Sequence, residues 1–122
     1  MEEQKERDVK ELNSYLDYLK YQKNYSDYTI ESYKDDILEY FDFLSREVLN
    51  FKEVEYSDIR FFLMYLKDEK KDDNSSINRK LSSLRGFYKY LANEKIVKTN
   101  IFSLVNGPKK SKNYLDILNI MS

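Results

Sequence analysis

Four stretches of this chain carry apolar side chains at alternating steps of three and four residues. They are Val9, Leu12, Leu16 and Leu19; then Ile30, Tyr33, Ile37, Phe41 and Leu44; then Ile59, Phe62, Leu63 and Leu66; and last Ile77, Leu81, Leu84, Tyr88 and Leu91. Such steps put the apolar groups on one face of an α-helix, so the spacing predicts helices over roughly 6–22, 27–46, 57–69 and 75–93. Ser26 or Asp27, Ser57, and Asn74 or Ser75 are the N-cap candidates. Two glycines and one proline in 122 residues leave little from which to build the tight turns of a sandwich or barrel. The expected architecture is therefore all-α: a compact bundle of four main helices, with a short helical turn over roughly 99–105 closing the core through Ile101, Phe102, Leu104 and Val105.

Composition removes whole classes of chemistry. There is no His and no Cys, which excludes imidazole bases, thiol nucleophiles, disulfides and the common zinc sites. Gly86 and Gly107 stand in no phosphate-loop pattern. No catalytic set, metal ligand set or cofactor is expected. Carboxylate pairs such as Asp35/Asp36 and Asp72/Asp73 read as solvated surface. No apolar run approaches the ~18 residues of a membrane span, and the acidic, polar start Met1–Glu6 lacks the pattern of a signal peptide. A cytoplasmic location and no membrane partner are expected.

The charge is unevenly spread. Residues 1–75 hold 12 Lys/Arg against 20 Asp/Glu, a net of -8, whereas residues 76–122 hold 9 against 2, a net of +7. Such asymmetry points to an anionic partner for the basic half. From Ser76 to Asn93 no acid occurs. On a helical wheel, Leu81, Leu84, Tyr88 and Leu91 fall within about 40° of Ile77. Asn78, Arg79, Ser82, Ser83, Gly86 and Lys89 lie opposite, with Lys80 and Arg85 at the boundary. Lys and Arg neutralise phosphates, and small hydroxyl residues admit the backbone closely and donate to phosphate oxygens. Asn78 and Arg79 are of the types that read adenine and guanine edges. A glycine inside a helix costs roughly 1 kcal/mol, and close approach to a ligand would account for Gly86. Taken alone, this face leaves two readings open: contact with DNA or RNA, or a groove in which another helix packs. The tyrosines at 15, 18, 40, 65 and 90 read as half-buried core.

The run Ser75-Ser76-Ile77-Asn78-Arg79-Lys80-Leu81-Ser82-Ser83-Leu84-Arg85-Gly86-Phe87-Tyr88-Lys89-Tyr90-Leu91 resembles the last long helix of the core-binding (SAM-like) domain of tyrosine recombinases, the phage-integrase and Xer-type family. A pattern like S-x-x-x-R-x-L-S-x-L-R-x-F-Y-x-Y-L recurs there. Ser26-x-x-Thr29-x-x-x-Tyr33 with Asp36 resembles the opening of that domain's second helix, and Tyr56-Ser57-Asp58-Ile59 the start of its third. Glu94-Lys95-Ile96-Val97-x-x-Asn100, followed by Pro108-Lys109-Lys110, resembles its exit into an interdomain linker. The family usually reads Asn-Pro where this chain has Asn100-Ile101, and the segment after Lys112 departs from its pattern. The likeness covers roughly residues 9–112.

The resemblance implies a domain at 1–108 and, at 109–122, a basic interdomain linker or the start of a catalytic domain that is missing here. It implies one half of a clamp on double-stranded DNA at a recombination half-site, with other recombinase protomers as partners on DNA and a monomer in isolation. The parent protein would cleave and rejoin DNA, while this part holds no nucleophile among its 12 tyrosines. The residues implicated in DNA contact are Asn78, Arg79, Lys80, Ser82, Ser83, Arg85 and Lys89, then Thr29 and Ser32 at the start of the second helix, and Lys109, Lys110 and Lys112 in the linker. The rival readings are a helical protein-interaction domain and a stand-alone DNA-binding accessory factor.

Overall fold

A computed structural model of the chain describes residues 2–108, with side chains from Lys10 onward. Four helices follow in order: α1 (Glu2–Tyr21), α2 (Asp27–Arg46), α3 (Tyr56–Met64) and α4 (Asn74–Asn93). A 3₁₀ turn at Phe51–Glu53 precedes α3, a π-turn at Tyr65–Glu69 prolongs it, and a second 3₁₀ turn at Ile101–Leu104 follows α4. No strand occurs among the described residues, and no helix there is long and apolar enough to cross a membrane. The bundle expected from the spacing is the observed one.

The helix starts are set locally. Ser26 caps α2, its Oγ accepting from the Thr29 N–H at 3.1 Å. The start of α3 is Glu55 rather than Ser57: its N–H donates to Asp58 Oδ2 at 3.0 Å, one half of a capping box. For α4 the cap is Asp73, one residue before the expected pair, and its Oδ1 accepts from the Ser76 N–H at 2.8 Å. That bond holds the Asp73 carboxyl below the usual carboxylate range.

The helix ends show the scarcity of glycine. Asn24, Val48, Lys71 and Lys95 follow the four helical segments, and all four have positive φ, near +60°. The turn lets Leu49 N–H reach the Leu44 carbonyl at 2.8 Å and Ile96 N–H reach that of Leu91 at 2.8 Å, closing helix ends in the manner usually left to glycine. Val48 is the most strained of these, since a β-branched residue fits the left-handed region poorly, and its side chain is exposed. Val48→Gly is therefore expected to raise unfolding stability by about 0.5–1 kcal/mol, the left-handed strain relieved less the entropy glycine loses on folding. A melt showing no gain would contradict the assignment of strain.

The core is aromatic and centred on α4. Ile77, Leu81, Leu84, Phe87, Tyr88 and Leu91 are all buried against Ile37, Tyr40, Phe41 and Leu44 of α2, Leu12, Tyr15 and Leu19 of α1, Ile59 and Phe62 of α3, and Phe102. Tyr40 meets Phe62, Tyr88 and Phe102 edge to face, with ring centres 5.2–6.1 Å apart, the arrangement ring quadrupoles favour. Tyr88 Oη donates to the Phe51 carbonyl at 2.6 Å, which leaves Tyr40 to donate to Tyr88 Oη across 2.8 Å. Tyr18, Tyr65 and Tyr90 are half-buried as expected, whereas Tyr15 and Tyr40 are buried fully.

Burial pushes the Tyr40 and Tyr15 phenols well above the ordinary tyrosine value. The unfolded chain gives up these protons at about pH 10, while the folded chain keeps them, so stability is full below that pH and falls as it rises further. Lys80 acts in the same direction. Burial alone would lower its ammonium, but hydrogen bonds to Asp72 and Glu39 outweigh this and hold it above the usual lysine value, and its contribution is lost as pH climbs through that raised value. We expect thermal melts to be unchanged from pH 7 to 9 and to fall steeply above about pH 10, with tyrosinate absorbance appearing as the helix signal disappears. Full tyrosinate absorbance in a still-folded protein would refute this.

Candidate nucleic-acid interface

Because α4 packs on α2 as well as on the rest of the core, its buried arc is wider than its apolar stripe. The sequence left two readings for the face opposite the stripe, contact with nucleic acid or a groove for another helix, and the structure divides that face in two. Lys80 is 8% exposed. Its Nζ lies 2.7 Å from Glu39 Oε1 and 2.6 Å from Asp72 Oδ2. Ser83 is 2% exposed and donates to Asp36 Oδ2 at 2.7 Å. Both residues sit in the wall between α2 and α4, not on the open surface. Gly86 is likewise turned inward: a Cβ there would stand 2.7 Å from Tyr15 Oη. Its lack of a side chain accommodates α1, so at Gly86 the helix-packing reading holds in place of the approach of a ligand.

The carboxylates expected to be solvated are divided as well. Asp35 and Asp73 are exposed, whereas Asp36 is buried and Asp72 is tied to Lys80. Asp36 receives Arg79 Nη1 on both oxygens, at 2.9 and 2.8 Å. Its position, three residues after Tyr33 and four before Tyr40, already placed it beside the inward face of α2.

What remains open on α4 is a shallow groove of about 290 Å³ lined by Ser75, Asn78, Arg79, Ser82 and Arg85. Ser75 belongs to this groove because Asp73 has taken the capping role. Ser82 and Lys89 are exposed and make no hydrogen bond or ion pair among the described residues. Asn78 and Arg85 reach the surface but are partly committed to the departing chain. Asn78 Nδ2 donates to the carbonyls of Asn74 and Pro108, at 2.9 and 2.7 Å. Arg85 donates to those of Phe102 and Val105, at 3.3 and 2.5 Å. Thr29 and Ser32 are half-buried on α2; they share a face with Asp36, since positions three and four apart stack on a helix. The Thr29 hydroxyl accepts from Ser26 Oγ at 2.9 Å. Lys109, Lys110 and Lys112 lie outside the described residues. Among those described, no group of three or more His, Cys, Asp or Glu is placed to hold a metal ion.

A family profile described as "Phage integrase, N-terminal SAM-like domain" matches residues 12–95, which takes in α2, α3, α4 and the second half of α1. The chain belongs to the phage integrase N-terminal SAM-like domain family. This SAM-like domain is 50% identical over 102 residues to a protein named tyrosine recombinase XerC from Anoxybacillus flavithermus, covering 83% of this chain and 34% of that relative. It is 43% identical over 99 residues to the tyrosine recombinase XerC of Bacillus subtilis, covering 80% and 32%. With the tyrosine recombinase XerC of Leptospira interrogans it shares 42% over 98 residues, again 80% and 32%. The chain thus spans about a third of the length of the curated relatives it matches. No solved structure matches it significantly. The groove of this SAM-like domain lies on the helix whose sequence run carries its family likeness most densely.

Proposed function

We propose that this chain is the DNA-binding domain of a site-specific tyrosine recombinase, gripping duplex DNA at a recombination half-site through the outer face of α4. The supporting observation is that face itself: a groove bounded by Ser75, Asn78, Arg79, Ser82 and Arg85, with Lys89 exposed nearby and no acid from Ser76 to Asn93. Arg and Lys there neutralise phosphates, while the hydroxyls allow the backbone close. Ser32 and Thr29 offer a second contact line from α2. Lys80 and Ser83 are left out of this reading, since both are buried. Residues 1–108 form the binding domain. Residues 109–122 form a basic linker, or the beginning of a catalytic domain in a longer parent protein, and place Lys109, Lys110 and Lys112 on the DNA backbone. Other copies of the parent on the same DNA are its protein partners. No strand-cleaving step is assigned to this chain's own side chains.

Binding is expected to be weak and strongly dependent on salt, with Kd on the order of 10⁻⁴–10⁻⁶ M, the range of non-specific contact. Fluorescence anisotropy with a labelled duplex at two salt concentrations measures it. No binding at low salt, or binding that salt does not weaken, would refute the reading and favour a protein-interaction domain.

A further inference from the structure

The contact between Arg79 and Asp36 is lopsided. Asp36 is 4% exposed and is held from the core side by Ser83 Oγ. Arg79 reaches it with one nitrogen only: Nη1 donates to both carboxylate oxygens. Its Nε and Nη2 make no hydrogen bond among the described residues, and its side chain is 52% exposed. The carboxylate is thus sunk in the α2–α4 wall, with the cation anchored at the back and open at the front, where it lines the groove. The free edge matters, because Nε–H and Nη2–H lie side by side on one edge of a guanidinium and form the fork that matches two oxygens of a phosphate. A loose surface arginine surrenders its rotamer freedom on binding; an anchored one has already done so.

We infer that Asp36 is a positioning residue of the interface, holding Arg79 by Nη1 so that its Nε–Nη2 edge faces a phosphate. This rests on the DNA-binding reading above. An acid beneath a DNA-binding face would ordinarily repel the ligand. Here it is enclosed and paired, so removing its charge should weaken binding. Were Asp36 only a brace between helices, or a neutraliser of Arg79, removing its charge would leave binding unchanged or tighten it.

The test uses the 122-residue chain, D36N, R79A, R79K and the double variant D36N/R79A, each titrated into a fluorescein-labelled duplex of mixed sequence at two salt concentrations. Circular dichroism melts follow every variant. Asparagine keeps the volume of Asp36 and one acceptor oxygen. We expect R79A to weaken binding about tenfold, near 1.4 kcal/mol, and to shallow the salt slope by about one unit. R79K, which keeps the charge but lacks the fork, should bind more weakly than the parent. D36N should weaken binding roughly three- to tenfold, and should add nothing once Arg79 is gone, as coupling through Arg79 requires. D36N binding as tightly as the parent, or losing the same factor with and without Arg79, overturns the proposal. If D36N does not fold, Ser83→Ala takes its place in the same cycle, and an equal loss in both backgrounds again overturns it. A parent without salt-dependent binding overturns the DNA-binding reading and this proposal with it. A binding parent matched by R79A overturns the proposal alone.

Discussion

Leu84→Ala is expected to lower unfolding stability by roughly 2–5 kcal/mol. Leu84 is fully buried on α4, in the one helix that the rest of the core surrounds. Truncation removes three carbons from water-free packing and leaves a cavity in a close-packed core, which can relax only partly around it. Denaturant titration should show the midpoint falling while the slope stays constant. A loss under about 1 kcal/mol would mean that the helices do not close around this position as described. Because Leu84 points away from the groove, DNA affinity of the folded fraction should be unchanged.

Lys80→Ala is the second large effect, and it sets the structure against the sequence expectation most sharply. The substitution strands Asp72 with no cation and leaves Glu39 only Lys70, at 3.6 Å. Removing one member of a buried ion pair costs about 3–5 kcal/mol. Here both carboxylates keep some solvent, with side chains 16% and 20% exposed, so we expect about 2–3 kcal/mol. Replacing the set together, as Lys80→Met with Asp72→Asn and Glu39→Gln, should recover most of that loss, since no charge is then left unpaired. DNA affinity should be nearly unaffected by Lys80→Ala once folding is accounted for. If Lys80→Ala instead weakened DNA binding and left the melt alone, the placement of Lys80 in the helix–helix wall would be wrong.

The contrast between Lys80 and Lys89 shows what was readable beforehand. Periodicity located all four helices, because an apolar stripe needs only local spacing to be seen. Ser26 caps α2 as expected, but the caps of α3 and α4 were displaced by two residues and one; at α4, Asp73, Asn74 and Ser75 are all competent and the choice among them depends on how the chain enters the helix. The π-turn at Tyr65–Glu69 left no trace in the pattern, as its apolar residue Leu66 falls inward in an α- or a π-turn. On α4 the wheel showed which residues avoid the stripe but not how many helices cover its edges. Lys80 and Ser83 look like surface until α2 is laid beside them, and their partners Asp36 and Glu39 come from a helix some 40 positions away in sequence. A cation count cannot tell a lysine facing solvent from one held between two carboxylates, one of them on another helix. The family likeness did include Asp36, although its meaning became visible only when Arg79 was seen attached to it.

The bonds from Arg85 and Asn78 to the departing chain have a consequence of their own. After Phe102 the backbone is carried back along α4 and reaches Pro108 at the helix's first turn, beside the groove. Pro108, the last described residue, therefore has a fixed address beside the groove. Asn78 and Arg85 thus serve as two moorings for one rope: the strand that leaves α4 at its far end is tied back beside the helix's start.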